Sequence, residues 1–313
     1  MALVALVALG AGSVAPSARA AGPLPAFARG RGDVDVSGDG RFGLFAGGRE
    51  LVIWELATGQ RRHRARLASA AWEIHASPDG ETVALVAPGR FAEVKVLNGR
   101  VVVDQPAPRT VAGVTEVAWA PDGSELVLVG LELAELAPGP GTPIAYFEPK
   151  LGYVARQIRV PGLVATRGAA VLPDGGGVVV GTPRDLLFLG QSLVDVRTAR
   201  HAGTADVRVI GAFAQGVLVV QRGRLEVLEP KTAALQRTIE IGIAEDERLL
   251  ARPLGRWLLA IVDGAKAMRV IDLQAGTDDA LPLATLGRPR VVTPLADALV
   301  AFGRQVVILP QGP

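Results

Sequence analysis

The sequence contains no cysteine. Disulfides, thiolate metal sites, iron–sulfur clusters and cysteine nucleophiles are thereby excluded together. The absence assigns no compartment, because a chain of 313 residues can build a core large enough to do without covalent staples. Histidine is scarce: His63, His75 and His201 lie in different segments, with no HExxH or comparable ligand pair. No GxSxG, GxGxxG or Walker sequence occurs. Gly175-Gly176-Gly177 falls in a turn between apolar runs and opens no helix, so it is not a phosphate cradle. Neither sign of charge dominates: 33 basic residues face 31 acidic ones, and no whole-molecule field draws the chain to nucleic acid. No cofactor and no metal is expected from this inventory.

A long apolar run is present only at the N-terminus, from Ala2 to Ala15. It is too short to span a bilayer comfortably. Ser17-Ala18-Arg19-Ala20 follows and supplies a small-x-small site ahead of Ala21. This pattern predicts a secretory signal over residues 1–20, cleaved after Ala20, and a periplasmic or secreted mature chain. No Lys or Arg precedes the run, and the alternative is an uncleaved tail on a cytoplasmic protein.

The whole chain is 49% apolar, which excludes disorder, and most of its 38 glycines and 22 prolines punctuate short Val-rich runs beyond residue 20. Residues Ala71 to Val103 set the plan. Three apolar runs are broken by Ser77-Pro78-Asp79-Gly80, by Pro88-Gly89-Arg90 and by Asn98-Gly99. Pro presets φ, Asp and Asn bond their own backbone, and Gly takes positive φ, so each break is a turn between antiparallel strands. Asp-Gly turns recur at Asp39, Asp79, Asp122 and Asp174, spaced by 40, 43 and 52 residues. Weaker counterparts follow at Gln215-Gly216, Leu254-Gly255 and Ala296-Asp297. A period near 40 to 45 residues with four strands per unit is the pattern of propeller blades. Seven units fit between Asp33 and Gly312, and the last lacks a fourth strand. The segment Pro23–Arg29 is expected to supply it and close the ring, removing an open sheet edge.

The Ser77-Pro78-Asp79-Gly80 and Ala120-Pro121-Asp122-Gly123 turns, each before a Val-rich strand, and Ile53-Trp54-Glu55-Leu56-Ala57-Thr58-Gly59 resemble bacterial WD-repeat-like and YVTN-type β-propellers. The likeness covers nearly all of residues 21–313. It implies one all-β domain, a seven-bladed propeller of four-stranded antiparallel blades, and a platform more than a chemistry. The Gly-His dipeptide of eukaryotic WD repeats is missing and Trp-Asp appears only as Trp54-Glu55, so the His/Asp tetrad of that family does not carry over.

Alternation on the predicted innermost strands puts Asp33, Asp35, Glu73, His75 and Glu116 on one face, and Val34, Val36, Ile74, Ala76, Val117 and Trp119 on the other. The first set forms an acidic rim with one imidazole at a central channel. It suits a ligand site, a tuned general base or the holding of a hydrated cation, or alternatively hydrogen bonding between blades and solvation of the channel mouth. Asp33 to Gly38 opens like a calcium loop, but its twelfth position is Leu44, which offers no oxygen. Arg61, Arg62, Arg64 and Arg66 form a basic patch on the outermost strand of the first unit, able to meet an anion or to blunt an edge. No aromatic residue interleaves with it for base stacking. Arg31-Gly32-Asp33 is taken as a chance tripeptide. The insertion Leu131–Tyr146, with its Pro-Gly core, reads as a protruding loop. Trp54, Trp72, Trp119 and Trp257 read as packing between blades.

The expectation is an exported, monomeric, non-enzymatic binding platform. Its partner is a protein or small ligand on the channel face, with no nucleic acid and no membrane span. The alternatives are a propeller enzyme of lactonase or quinoprotein type and a cytoplasmic WD-like scaffold.

Overall fold

A computed structural model describes residues 19–23, 25, 28, 32–70, 72–87, 90–106, 116–130, 141–149, 153–161, most of 163–240, and beyond these the strands up to residue 310. The apolar run of residues 2–15, residues 131–140, Asp174 to Gly176, His201 and the turns at 255 and 296–297 lie outside the described residues. The expected loop Leu131–Tyr146 is corrected at its C-terminal end, where Thr142–Tyr146 belongs to a strand, Thr142–Glu148, paired on both sides.

Among the described residues the secondary structure is almost wholly β. Strand β1 (Arg19–Pro23) comes first. Four strands then make a sheet in chain order: β2 (Asp33–Val36), β3 (Phe42–Gly47), β4 (Glu50–Glu55) and β5 (Arg61–Arg66). The second sheet is β6 (Glu73–Ala76), β7 (Thr82–Ala87), β8 (Arg90–Lys95) and β9 (Val101–Pro106). The third is β10 (Glu116–Trp119), β11 (Leu126–Val129), β12 (Thr142–Glu148) and β13 (Tyr153–Val160). The fourth is β14 (Ala169–Val171), β15 (Val178–Gly181), β16 (Leu186–Leu189) and β17 (Val196–Ala199). The fifth is β18 (Arg208–Phe213), β19 (Gly216–Gln221), β20 (Arg224–Leu228) and β21 (Leu235–Ile239). The sixth is β22 (Arg248–Leu254), β23 (Arg256–Val262), β24 (Ala267–Asp272) and β25 (Thr277–Pro282). The last three strands, β26 (Val291–Pro294), β27 (Ala298–Phe302) and β28 (Gln305–Pro310), are joined by β1, which pairs antiparallel with β28.

The strand beside β28 therefore differs from the expected segment Pro23–Arg29: it lies at Arg19–Pro23 and pairs Gly22 with Val306 and Pro23 with Gln305. Proline explains the shift. Pro23 and Pro25 offer no N–H to a ladder, whereas the residues before Pro23 do. Past Pro23 the chain turns, the Ala28 amide donating to the Pro25 carbonyl at 2.9 Å, with Ala28 buried. The expected cleavage point after Ala20 falls inside β1.

Each middle strand is covered on both faces, so period-two alternation gives way to near-continuous apolar sequence. On β3, Leu44 and Ala46 face the second sheet while Phe45 faces the last one. On β7, Val83 and Leu85 face the first sheet and Ala84 and Val86 the third. The first strands of neighbouring sheets adjoin at β2 and β6, at β10 and β14 and onward through β18 and β22 to β26, and β26 adjoins β2. The class that this arrangement defines is the β-propeller.

The Asp-Gly turns form one repeated structure. The Ser37 hydroxyl donates to Asp39 Oδ1 at 2.6 Å and accepts the Phe42 amide at 3.0 Å, while Asp39 Oδ1 also accepts the Arg41 amide. Ser77, Asp79, Glu81 and Thr82 repeat this bond for bond. At the third turn Ala120 cannot, and Asp122 Oδ1 accepts from Ser124 instead. Neighbouring turns also touch: a Cβ on Gly80 (φ 77°) would lie 2.9 Å from the Asp39 backbone nitrogen. One on Gly123 (φ 73°) would lie 2.6 Å from the Asp79 carboxyl carbon. Glycine satisfies both the conformation and the contact.

Candidate functional site

The inner-strand face carries the acids singled out from the sequence, and hydrogen bonds state what most of them do. Asp35 is buried on β2. Its Oδ1 accepts its neighbour's amide, Val36, at 2.8 Å, and its Oδ2 accepts the Ala76 amide of β6 at 3.1 Å. Asp33 repeats the arrangement two residues earlier, with Val34 at 3.0 Å and Ile74 at 2.8 Å. The two carboxylates clasp the first sheet to the second through main-chain N–H groups. A bond from an ionised carboxylate to a backbone amide is of the stronger, charge-assisted kind.

Glu116 does the same at the junction of the third and fourth sheets. Its Oε1 accepts the Gly168 amide at 3.1 Å and the Thr166 hydroxyl at 3.3 Å. Between the second and third sheets the clasp is of another type: the Trp119 indole N–H donates to the His75 carbonyl at 3.0 Å. Between the fourth and fifth a backbone bond joins them, Val209 N–H to the Arg167 carbonyl at 2.8 Å. The chemistry of the junction varies from one pair of sheets to the next.

Glu73 and His75 on β6 are the other two members of the expected set. The Glu73 side chain is 72% exposed and that of His75 30%, and His75 Nε2 stands 3.9 Å from Glu73 Oε2. At that spacing they form a loose pair. The structure thus brings Asp33, Asp35, Glu73 and His75 onto adjoining strands β2 and β6, with Glu116 on β10. Among the described residues no group of three His, Asp or Glu side chains is placed to hold a metal ion.

The arginine patch lies on β5, the outer strand of the first sheet. Arg62 Nη2 reaches Glu55 Oε2 at 2.6 Å, and Arg64 pairs with Glu50. Glu55 also accepts the Thr58 hydroxyl at 2.8 Å, and this bond with the Arg62 contact holds its carboxyl below the usual range. Of the tryptophans, Trp54 is buried, Trp72 is buried with its indole N–H on the Ser69 carbonyl at 2.8 Å, and Trp119 bridges two sheets. The side chain of Trp257 lies outside the described residues.

One charged residue escaped the sequence reading. Glu93 on β8 is fully buried, facing the third sheet beside Phe91. Burial pushes its carboxyl up to about 7, against the pull of Lys95. Lys95 Nζ stands 3.2 Å from Glu93 Oε1 and donates to Thr82 Oγ1 and the Pro149 carbonyl, the latter in the third sheet's hairpin. The signal was the run Phe91-Ala92-Glu93-Val94-Lys95. Alternation alone assigns Phe91, Glu93 and Lys95 to one face, and only the neighbouring blade decides that this face is dry.

No family model and no curated protein matches the sequence. Solved structures do. BamB from Moraxella catarrhalis is similar at a TM-score of 0.55 with 14% identity, covering 89% of this chain and 84% of that one. U3-55K is similar at a TM-score of 0.60 with 12% identity, covering 89% and 94%. These likenesses share the propeller fold. Among the described residues no helix is long and apolar enough to cross a membrane.

Proposed function

We propose that the chain is an exported, non-enzymatic, monomeric β-propeller of seven blades, closed by its N-terminal strand, that acts as a binding platform. A protein or small ligand docks on the channel face around Glu73 and His75. The observation that carries this reading is the use of the other acids: Asp33, Asp35 and Glu116 accept main-chain amides of the next sheet, which fixes them as acceptors. Oxygens already accepting from the next sheet are poorly placed to take a proton from a ligand. The face therefore has a rigid, hydrogen-bonded floor with one exposed carboxylate and one imidazole above it, as suits recognition. Support for the ring comes from β1 pairing with β28 and from β26 adjoining β2. Support for a protein partner comes by analogy with the structural neighbours, and this step is fold-level only.

The test is a pair of variants. Glu73→Gln with His75→Gln should lose partners that the wild type retains from a periplasmic extract, at unchanged thermal stability. Asp35→Asn should lower stability. Retention of every partner by the first variant would leave the channel face without a binding role. Export is tested separately by mass spectrometry of the mature protein. A start at Ala21 supports it, and an intact Met1 favours the cytoplasmic scaffold.

A further inference from the structure

We propose that β5 is a docking edge for an extended acidic peptide, which it takes up as an added strand. This surface is distinct from the channel face, and the proposal stands apart from the reading above. β5 ends its sheet, so its far side carries unpaired main-chain groups. The pairing says which ones. Leu67 N–H donates to the Arg49 carbonyl at 2.8 Å, and the register continues as Glu50 with Arg66, Leu51 with Ala65 and Val52 with Arg64. Antiparallel pairs alternate between bonded and non-bonded. Leu67, Ala65 and His63 therefore bond inward to β4, and the N–H and C=O groups of Arg64 and Arg66 point outward. A bulge between Ile53 and Trp54 ends the regular edge near Arg62.

The side chains fit the same guest. Ala65 packs against the second sheet, whereas Arg62, Arg64 and Arg66 are exposed on the opposite face. No carboxylate interrupts the strand, while the outer strands β9 and β25 carry Asp104 and the pair Asp278 and Asp279. The pairs to Glu55 and Glu50 are half exposed, with Arg62 at 46% and Arg64 at 55%, and exposed pairs of this kind contribute only about 0–1 kcal/mol. An incoming carboxylate competes for them at little cost. The edge already accepts one: Asp104 Oδ2 takes the Ala68 amide at 2.9 Å, just beyond β5, while Asp104 Oδ1 accepts from Arg90 at 2.7 Å. Like charges at directly opposed positions disfavour pairing of β5 with its own copy. A strand with Glu or Asp at alternate positions removes that repulsion and meets the outward amides of Arg64 and Arg66.

The experiment is fluorescence anisotropy of the full chain with a labelled synthetic peptide alternating Glu and Thr. Three comparison peptides accompany it: one with Lys for Glu, one with a central Pro, and one of the same composition with all Glu grouped. Binding of the alternating peptide is expected, with losses of about tenfold or more for Arg64→Glu with Arg66→Glu and for the Pro peptide. Amide hydrogen exchange should slow at residues 64 and 66 on binding. If the double variant does not fold, Arg64→Gln with Arg66→Gln provides the same comparison with a smaller loss. No binding to the wild type overturns the proposal, and so does equal binding of the Pro or grouped peptides, which marks general polyanion attraction.

Discussion

Trp54 of β4 and Phe302 of β27 meet edge to face, their ring centroids 6.1 Å apart and their planes at 71°. The contact joins the first sheet to the last, within a buried cluster that also holds Val34, Val52, Val300 and Val306. Gly43, paired with Trp54 across the ladder, leaves room for the indole, since a Cβ there would lie 2.2 Å from the ring.

Trp54→Ala should therefore lower stability by about 3–5 kcal/mol, the usual range for a deleted core aromatic. Gly43→Ala should also destabilise, by displacing the same ring. Chemical denaturation monitored by circular dichroism measures both. Near-native stability of Trp54→Ala would place the junction between these two sheets elsewhere.

Asp35→Ala leaves the amides of Val36 and Ala76 without an acceptor in a buried junction. The expected loss is about 1–3 kcal/mol. Asp33→Ala should cost less, because that junction is half exposed and water can reach the amides. Glu73→Gln is the control and should change stability within about 0.5 kcal/mol, as surface substitutions do. Equal losses for all three would remove the distinction drawn between clasping and exposed acids.

Glu93 makes stability depend on pH. Its folded pKa is raised from an ordinary 4.5 to about 7, so the folded state holds a proton that the unfolded state has released. Its favourable contribution is complete below about 4.5 and disappears as pH rises through about 7. The difference in stability between wild type and Glu93→Gln should thus widen as pH rises, with the variant the more stable at pH values above that window. Thermal melts across the range check it. A difference that stays constant with pH would mean that the Glu93 carboxyl keeps one protonation state throughout.

Gly80→Ala and Gly123→Ala should each cost more than about 1 kcal/mol, since both positions have positive φ and both would press a Cβ onto the preceding turn's aspartate. Gly48→Ala, also at positive φ but with open space around it, isolates the conformational part. The loss at Gly80 should exceed that at Gly48 in equilibrium unfolding.

These residues also mark how far the sequence could be read. The Asp-Gly turns and Val-rich runs were legible because turn chemistry is local: Ser37 with Asp39 and Ser77 with Asp79 bond within a few residues. Alternation puts Asp33 and Asp35 on one face of β2. It could not say that the amides of Ile74 and Ala76 lie opposite, because that partner is about forty residues away. Burial of Glu93 was hidden for the same reason. The strand that pairs with β28 lies a few residues before Pro23–Arg29, the segment that place and length before the first unit single out, because proline there withholds the needed N–H groups. In the fourth sheet, Leu186–Leu189 is short and bounded by turns without a repeated motif, so its order emerged only from pairing.

The central claim is that the two ends of the chain pair to close one ring, and a cross-link tests it most directly. Pro23 faces Gln305 in the β1–β28 register, and both remain in a chain that starts at Ala21. Opposed antiparallel residues have Cα atoms about 4.5–5.5 Å apart, a spacing that a disulfide spans. Pro23→Cys with Gln305→Cys, in a protein without native cysteine, should oxidise quantitatively in the folded monomer and raise its melting temperature. Free thiols that persist under oxidising conditions in folded protein would contradict the closed ring.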